Sequence, residues 1–180
     1  MRVITGSARG TVLKAPKGMQ TRPTMDQVKE ALFSAIQFEI EGRRVLDLFA
    51  GSGQLGIEAL SRGAKSAVFI DASREACAVV RENLTKTRLS DRAQLVQTDY
   101  LGYLARCRDT FDLVFLDLPY AEVFLETALK KISEIDILSD SGIIICERPA
   151  EKQLSGVFSG LLHDRDYRYG KAAVTLYRKA

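Results

Sequence analysis

From residue 44 onward the chain repeats one unit: a short apolar run rich in β-formers, then a segment with helical periodicity. The runs are 45–49 (VLDLF), 67–70 (AVFI), 94–97 (QLVQ), 111–116 (FDLVFL) and 142–146 (GIIIC), and helical segments fall near 54–62, 73–87, 99–106 and 121–133. Parallel strands need a crossover to connect them, usually a helix, so this alternation predicts an α/β protein with a mostly parallel central sheet and helices on both faces. Gly63 is placed to close the first of these helices. Two further strand-like runs, 160–167 and 172–178, flank Arg168-Tyr169-Gly170 and predict an antiparallel hairpin that completes a seven-stranded sheet. No internal repeat is visible, and no linker divides the α/β part.

The first 25 residues follow a different pattern. RVIT (2–5) and TVLK (11–14) surround a Ser-Ala-Arg-Gly turn and read as a β-hairpin, followed by the aperiodic loop KAPKGMQTRPT. Thr24 with Gln27 three residues later fits a capping box, and Val28, Ala31, Leu32, Ala35 and Ile36 repeat at helical spacing, which predicts an amphipathic helix over 26–39. The expected organisation is a hairpin arm, 1–25, on a body, 26–180.

Charge separates the two parts. The whole chain carries 26 Lys+Arg against 23 Asp+Glu, a net +3. Arg2, Arg9, Lys14, Lys17 and Arg22 give the arm +5 with no acid, which leaves the body at −2. Clustered cations on an acidic body suit a polyanion, because phosphates reward them through counterion release. Charge alone fits a solvated terminal hairpin equally well.

With 46% hydrophobic and 27% charged residues, composition excludes wholesale disorder. No apolar run reaches the roughly 18 residues that a membrane helix needs, and the opening MRVITGSARG lacks the apolar core of a signal peptide. A cytoplasmic protein without membrane contact is expected. Cys77, Cys107 and Cys146 form no C-x-x-C pair and there is one histidine, His163, so the expectation is buried apolar cysteines with neither metal site nor disulfide.

Chemistry concentrates at the ends of the predicted strands. Gly51-Ser52-Gly53-Gln54-Leu55-Gly56 follows the first strand and opens a helix, the context in which G-x-G-x-x-G holds a nucleotide-like ligand. Asp71, twenty residues after Gly51, ends the next strand, where an acid can accept both ribose hydroxyls. The glycines alone fit a tight β-α turn; with the placed acid they point to a nucleoside cofactor. Asp47 interrupts an apolar strand, and a carboxylate so near the loop would repel a pyrophosphate but suit a cation. That favours S-adenosylmethionine, which carries an ammonium and a sulfonium, although Asp47 also fits a structural bond to loop amides. Asp117-Leu118-Pro119-Tyr120 offers an acceptor carboxylate, a proline-fixed turn and an aromatic face, a set suited to an exocyclic amine on a planar base.

Asp47-x-Phe49-x-Gly51-x-Gly53 with Asp117-Leu118-Pro119-Tyr120 resembles the class I S-adenosylmethionine-dependent amino-methyltransferases, which have a Rossmann-like fold. Thr21-Arg22-Pro23-Thr24 running into Val28-Lys29-Glu30-Ala31-Leu32-Phe33, then Leu46 to Gly53, and finally Tyr169-Gly170-Lys171 resemble one family within that class, the bacterial 16S ribosomal RNA guanine-N2 methyltransferases of the RsmD type. The family usually has Asp-Pro-Pro-Tyr, and this chain has Leu118 at the second position. Ser73 stands where an acid is often found.

The resemblance implies that Asp47, Gly51 and Gly53 surround the methionine part of the cofactor, that Phe49 also belongs to the cofactor site, that Asp71 holds the ribose, and that Asp99 accepts from the adenine amino group with the Tyr100 amide nearby. For Asp99, a helix N-cap is an equally good reading. Asp117, Pro119 and Tyr120 become the catalytic residues. Arg9, Lys14, Lys17, Arg22 and Thr24 become contacts to 16S RNA, within an assembling small subunit, for an enzyme expected to be a monomer. Arg22 has a rival role as a partner of Glu30. Three other readings use the same motifs: an adenine-N6 methyltransferase, a non-catalytic cofactor-binding assembly factor, and a dinucleotide-dependent oxidoreductase that leaves Asp47 and Asp117 unexplained.

Overall fold

The computed structural model describes residues 1–19, 23–118, 122–154 and 157–180. The elements run α1 (Pro23–Ala35), β1 (Arg44–Asp47), α2 (Gln54–Ser61), β2 (Ser66–Asp71), α3 (Arg74–Thr87), β3 (Ala93–Gln97), α4 (Tyr100–Arg106), β4 (Phe111–Asp117), α5 (Glu122–Ile135), β5 (Leu138–Pro149), β6 (Leu161–Tyr169) and β7 (Ala172–Lys179). They build one seven-stranded sheet in the order β3-β2-β1-β4-β5-β7-β6. The first five strands are parallel, and β7 inserts antiparallel between β5 and β6. The sheet, its parallel part and the closing hairpin match the sequence expectation.

Strand alternation sorts the core into two layers. Val45, Phe69, Leu113, Phe115, Ile143 and Ile145 face Leu32, Phe33 and Ile36 of α1, Ile57 and Leu60 of α2, and Val80 and Leu84 of α3. Leu46, Ile70, Val114, Leu116, Ile144 and Cys146 face Leu104 of α4 and Leu125, Leu129 and Ile132 of α5. By the same period of two, Asp47, Asp71 and Asp117 fall on the first face. All three cysteines are buried and free. No helix among the described residues is long and apolar enough to cross a membrane.

The structure sharpens the N-terminal expectations and corrects the bounds of the first helix. The N-terminal runs pair as a short antiparallel hairpin: Arg2 bridges Val12, the Val3 amide donates to the Thr11 carbonyl (3.0 Å), the Leu13 amide to the Met1 carbonyl (3.1 Å) and the Gly10 amide to the Val3 carbonyl (2.8 Å). Beyond this pairing the backbone turns to the body, with the Ile4 and Thr5 amides donating to the Glu58 carboxylate (2.9 and 3.0 Å) and the Lys14 amide to Asn83 Oδ1 (2.8 Å). α1 begins at Pro23, three residues before the expected start and at a position proline tolerates, and the Thr24 side chain of the expected capping box lies outside the described residues. That helix also stops at Ala35 rather than 39, and a short 3-10 turn, Gln37–Glu39, follows.

Residues 1–19 are stitched into the same core, to which they contribute Val3, Ala8 and Leu13. The stitch centres on Glu58, fully buried in α2. Besides the two amides it holds Lys29 Nζ of α1 (3.3 Å) and Arg62 Nε (2.9 Å), so a charge that burial alone would penalise is surrounded by donors. Burial lowers the Lys29 pKa, while Glu58 works in the opposite direction.

Candidate active site

The site lies where strand order reverses, between β1 and β4, at the carboxyl ends of the parallel strands. In open α/β sheets this crevice is where ligands bind. Beyond β1 the chain turns through Gly51-Ser52-Gly53 into α2, with the Gly53 amide donating to the Ala50 carbonyl (2.7 Å). At Gly51 φ is +56°, a left-handed conformation that favours glycine, and an added Cβ would also displace Met19 Cε, 2.8 Å away. Gly56, inside α2, lies so close to the Phe69 ring that a side chain there would push the helix off the sheet.

Two acids hold this loop. Asp71 accepts the Gly51 amide at Oδ2 (2.9 Å) and the Ser73 amide at Oδ1 (2.8 Å). Asp47, buried, accepts the Gly56 amide at 3.1 Å. Burial, helped by the nearby charges of Asp117 and Asp71 and opposed by the Gly56 bond, pushes its carboxyl up to about 7. On the outer side of the loop, fully buried Asn83 donates to the Ser52 and Lys14 carbonyls (both 2.9 Å), so it ties the N-terminal segment to the glycine turn. Ser52 Oγ is buried with no hydrogen-bond partner among the described residues.

Asp117 ends β4 and is pushed up to about 6 by burial. Its register partner on β5 is Glu147, pushed up to about 8 by burial and by the charge of Asp117. No cation or hydrogen-bond donor among the described residues relieves either carboxyl. Arg148, next in sequence, points to the opposite face, where it bonds Thr175 Oγ1 (2.8 Å) and the Lys152 carbonyl (2.6 Å) and pairs with Asp166 (3.2 Å).

On the far side of the crevice the rings of Phe49 and Tyr100 meet at 5.1 Å, and Phe124 stands 6.3 Å from Tyr100 with half its surface exposed. Asp99 is exposed and caps α4, accepting the Gly102 amide at 2.8 Å. Ser73 caps α3 by accepting from Ala76 (3.2 Å), which gives the serine a local role where an acid is often found.

Asp47, Phe49, Gly51, Gly53, Asp71, Tyr100 and Asp117 therefore gather at one end of the sheet, with Asp99 at its margin. Arg9, Lys14 and Lys17 are exposed on the N-terminal segment; Lys14 pairs with Glu82 (2.8 Å), and the Lys17 amide donates to Glu75 (2.9 Å). Arg22, Pro119 and Tyr120 lie outside the described residues, as does the Thr24 side chain. Sequence reasoning missed Glu147, Glu58 and Asn83. For Glu147 a signal exists: an acid closing the apolar run GIIIC, two positions after Ile145 and thus on the same face.

Comparison with known proteins agrees with this geometry. The family model described as Conserved hypothetical protein 95 matches residues 1–178. Bacillus subtilis YlbH, named as a candidate rRNA methyltransferase, is 42% identical over 99% of both chains. The ribosomal RNA small subunit methyltransferase D of Escherichia coli K12 is 33% identical over 99% of this chain and 90% of its own. The solved structure of Escherichia coli yhhF, a candidate methyltransferase, superposes with a TM-score of 0.89 at 33% identity over 99% of this chain and 97% of that one. The chain therefore belongs to the Conserved hypothetical protein 95 family, the RsmD-type class I methyltransferases.

Proposed function

We propose that this protein transfers the methyl group of S-adenosylmethionine to the exocyclic N2 of a guanine in 16S ribosomal RNA. The observation that carries the reading is the set of carboxyls at the strand ends, Asp47, Asp117 and Glu147, all raised and none relieved by a described cation. Such a set calls for a cationic ligand that also offers N–H donors. The cofactor fits the residues present: Asp71 at the end of β2, bonded to the Gly51 turn that follows β1, suits its ribose, the Phe49–Tyr100 pair offers aromatic faces for its adenine, and Ser52 and Asp47 suit its methionine part. When bound, it supplies a methyl group already activated on a sulfonium, so transfer calls for no metal.

Guanine N2 is a weak nucleophile whose lone pair is delocalised into the ring, and its protons are too weakly acidic to be removed in advance. Asp117 therefore acts by accepting an N2–H, orienting the amine toward the methyl and stabilising positive charge as it develops on nitrogen. The proton leaves after the new bond begins to form, and an Asp117 carboxyl raised to about 6 is suited to hold it. The Leu118 carbonyl follows directly as a second acceptor; Pro119 and Tyr120 are assigned from the family resemblance alone, Tyr120 as the ring that stacks on the base.

Arg9 and Lys17, exposed on the N-terminal segment, contact phosphates around an extruded base together with Lys14; Arg22 and Thr24 are assigned to the same RNA contact from the family resemblance alone. We place the enzyme in the cytoplasm as a monomer acting on an assembling small subunit, its N-terminal segment facing the RNA and residues 26–180 carrying the methyltransferase chemistry. The test is to incubate it with labelled S-adenosylmethionine and undermethylated 16S RNA or small-subunit particles, then digest to nucleosides. N2-methylguanosine is expected; N6-methyladenosine, or no labelled nucleoside, overturns the reading.

A further inference from the structure

We propose that Glu147 is a specificity-determining residue that accepts the N1–H of the target guanine, while its neighbour Asp117 accepts from N2. The inference rests on the guanine reading above and deepens it. Asp117 and Glu147 are register partners on adjacent parallel strands. Their backbones are therefore about 4.8 Å apart, and their side chains leave the same face of the sheet. That face is the one Asp47 occupies, since Asp47 pairs with Phe115, two residues before Asp117.

A second acid at this position is costly. Burial and the negative charge of Asp117 both disfavour ionisation of Glu147, and no described donor compensates either carboxyl. The nearest cation in sequence, Arg148, is committed to the opposite face. Two adjacent acceptors that lack donors call for a ligand edge with two adjacent donors. Guanine presents one: N1–H beside the N2 amine. Adenine and cytosine each place an acceptor nitrogen beside their amine, which the second carboxyl repels in its ionised form, the form that a bound cation favours. One carboxylate suffices to orient an amine, so the second distinguishes guanine from other amino-bearing bases.

The experiment uses an RNA substrate carrying either guanine or 2-aminopurine at the methylated position. 2-Aminopurine keeps the 2-amino group but has an acceptor at N1. The wild-type enzyme should favour guanine in kcat/KM by about ten- to a hundredfold, the scale of one well-made base contact. Glu147→Ala should lose most of that preference by slowing guanine alone. Glu147→Gln, which keeps an acceptor oxygen, should retain much of it. Binding of S-adenosylhomocysteine to each variant reports whether the cofactor site is still formed. Equal losses on both bases in a variant that binds S-adenosylhomocysteine normally, or no wild-type preference, overturns the proposal. The wild-type comparison decides alone if neither variant folds. A wild-type enzyme that methylates no guanine N2 at all overturns instead the function on which the proposal rests.

Discussion

Asp71 and Gly51, twenty residues apart, are joined by a 2.9 Å hydrogen bond from the Gly51 amide to the Asp71 carboxylate. The acid at the end of β2 thus shapes the glycine turn in addition to facing the crevice, and its other oxygen takes the Ser73 amide at the start of α3. Asp71→Ala removes both acceptors. Calorimetric titration with S-adenosylhomocysteine should show affinity reduced more than tenfold, and denaturant unfolding should show a stability loss of about 1–3 kcal/mol. Unchanged affinity would remove Asp71 from the cofactor site.

Asp117→Asn should abolish methyl transfer while leaving S-adenosylhomocysteine affinity within about twofold, because Asp117 accepts no hydrogen bond from the glycine turn. Single-turnover kinetics with saturating RNA separates the chemical step from binding. Retained turnover would exclude Asp117 from the mechanism.

The raised carboxyls predict opposite pH trends for stability and for binding. Asp47 at about 7, Asp117 at about 6 and Glu147 at about 8 stand above their ordinary values of 3.8, 3.8 and 4.5, so the ligand-free folded protein holds protons there that the unfolded chain has released. Their contribution to stability is present at low pH and is lost as pH rises through the folded values, so ligand-free Tm should fall between pH 5 and 8. A cationic ligand favours the ionised forms, so S-adenosylmethionine affinity should rise across the same interval. Asp47→Asn should flatten both trends, which thermal scans and titrations at stepped pH would measure.

Glu58 accepts from Ile4, Thr5 and Arg62 and pairs with Lys29. Glu58→Ala leaves Lys29 buried without its counter-charge, and a loss of about 3–5 kcal/mol is expected. Limited proteolysis should then cut within the first 19 residues, where the wild type resists.

Val3, Ala8 and Leu13 belong to the core, so truncating the N-terminal segment would expose apolar surface as well as remove charge. Point substitution is the cleaner probe of RNA binding. Arg9→Ala and Lys17→Ala should each make the dependence of log affinity on log salt shallower by about 0.7–0.9, the change expected when one phosphate is no longer neutralised. Cofactor affinity should not change. A salt slope equal to wild type would place the RNA elsewhere.

Much of this molecule is legible in local pattern. The short apolar runs VLDLF, AVFI and FDLVFL and the helical periodicity between them locate the strands and helices to within a few residues, because each element's burial is set by its own side chains. Asp47, Asp71 and Asp117 stand out for the same reason: each is an acid where the pattern calls for an apolar residue or a strand end. The N-terminal hairpin is legible because its residues favour β structure, yet its pairing is short: the Ile4, Thr5 and Lys14 amides find acceptors in Glu58 and Asn83, which lie more than fifty residues away.

The sequence by itself determined the alternating α/β architecture, the glycine turn and the acids at the strand ends, since each depends on neighbours within a few positions. Only the tertiary structure decided that Glu147 stands beside Asp117, that Asp71 holds Gly51, and that buried Asn83 links the N-terminal segment to the turn. Those pairings follow from strand order and register, which bring together residues that no local periodicity connects, and burial then determines which of their charges are costly.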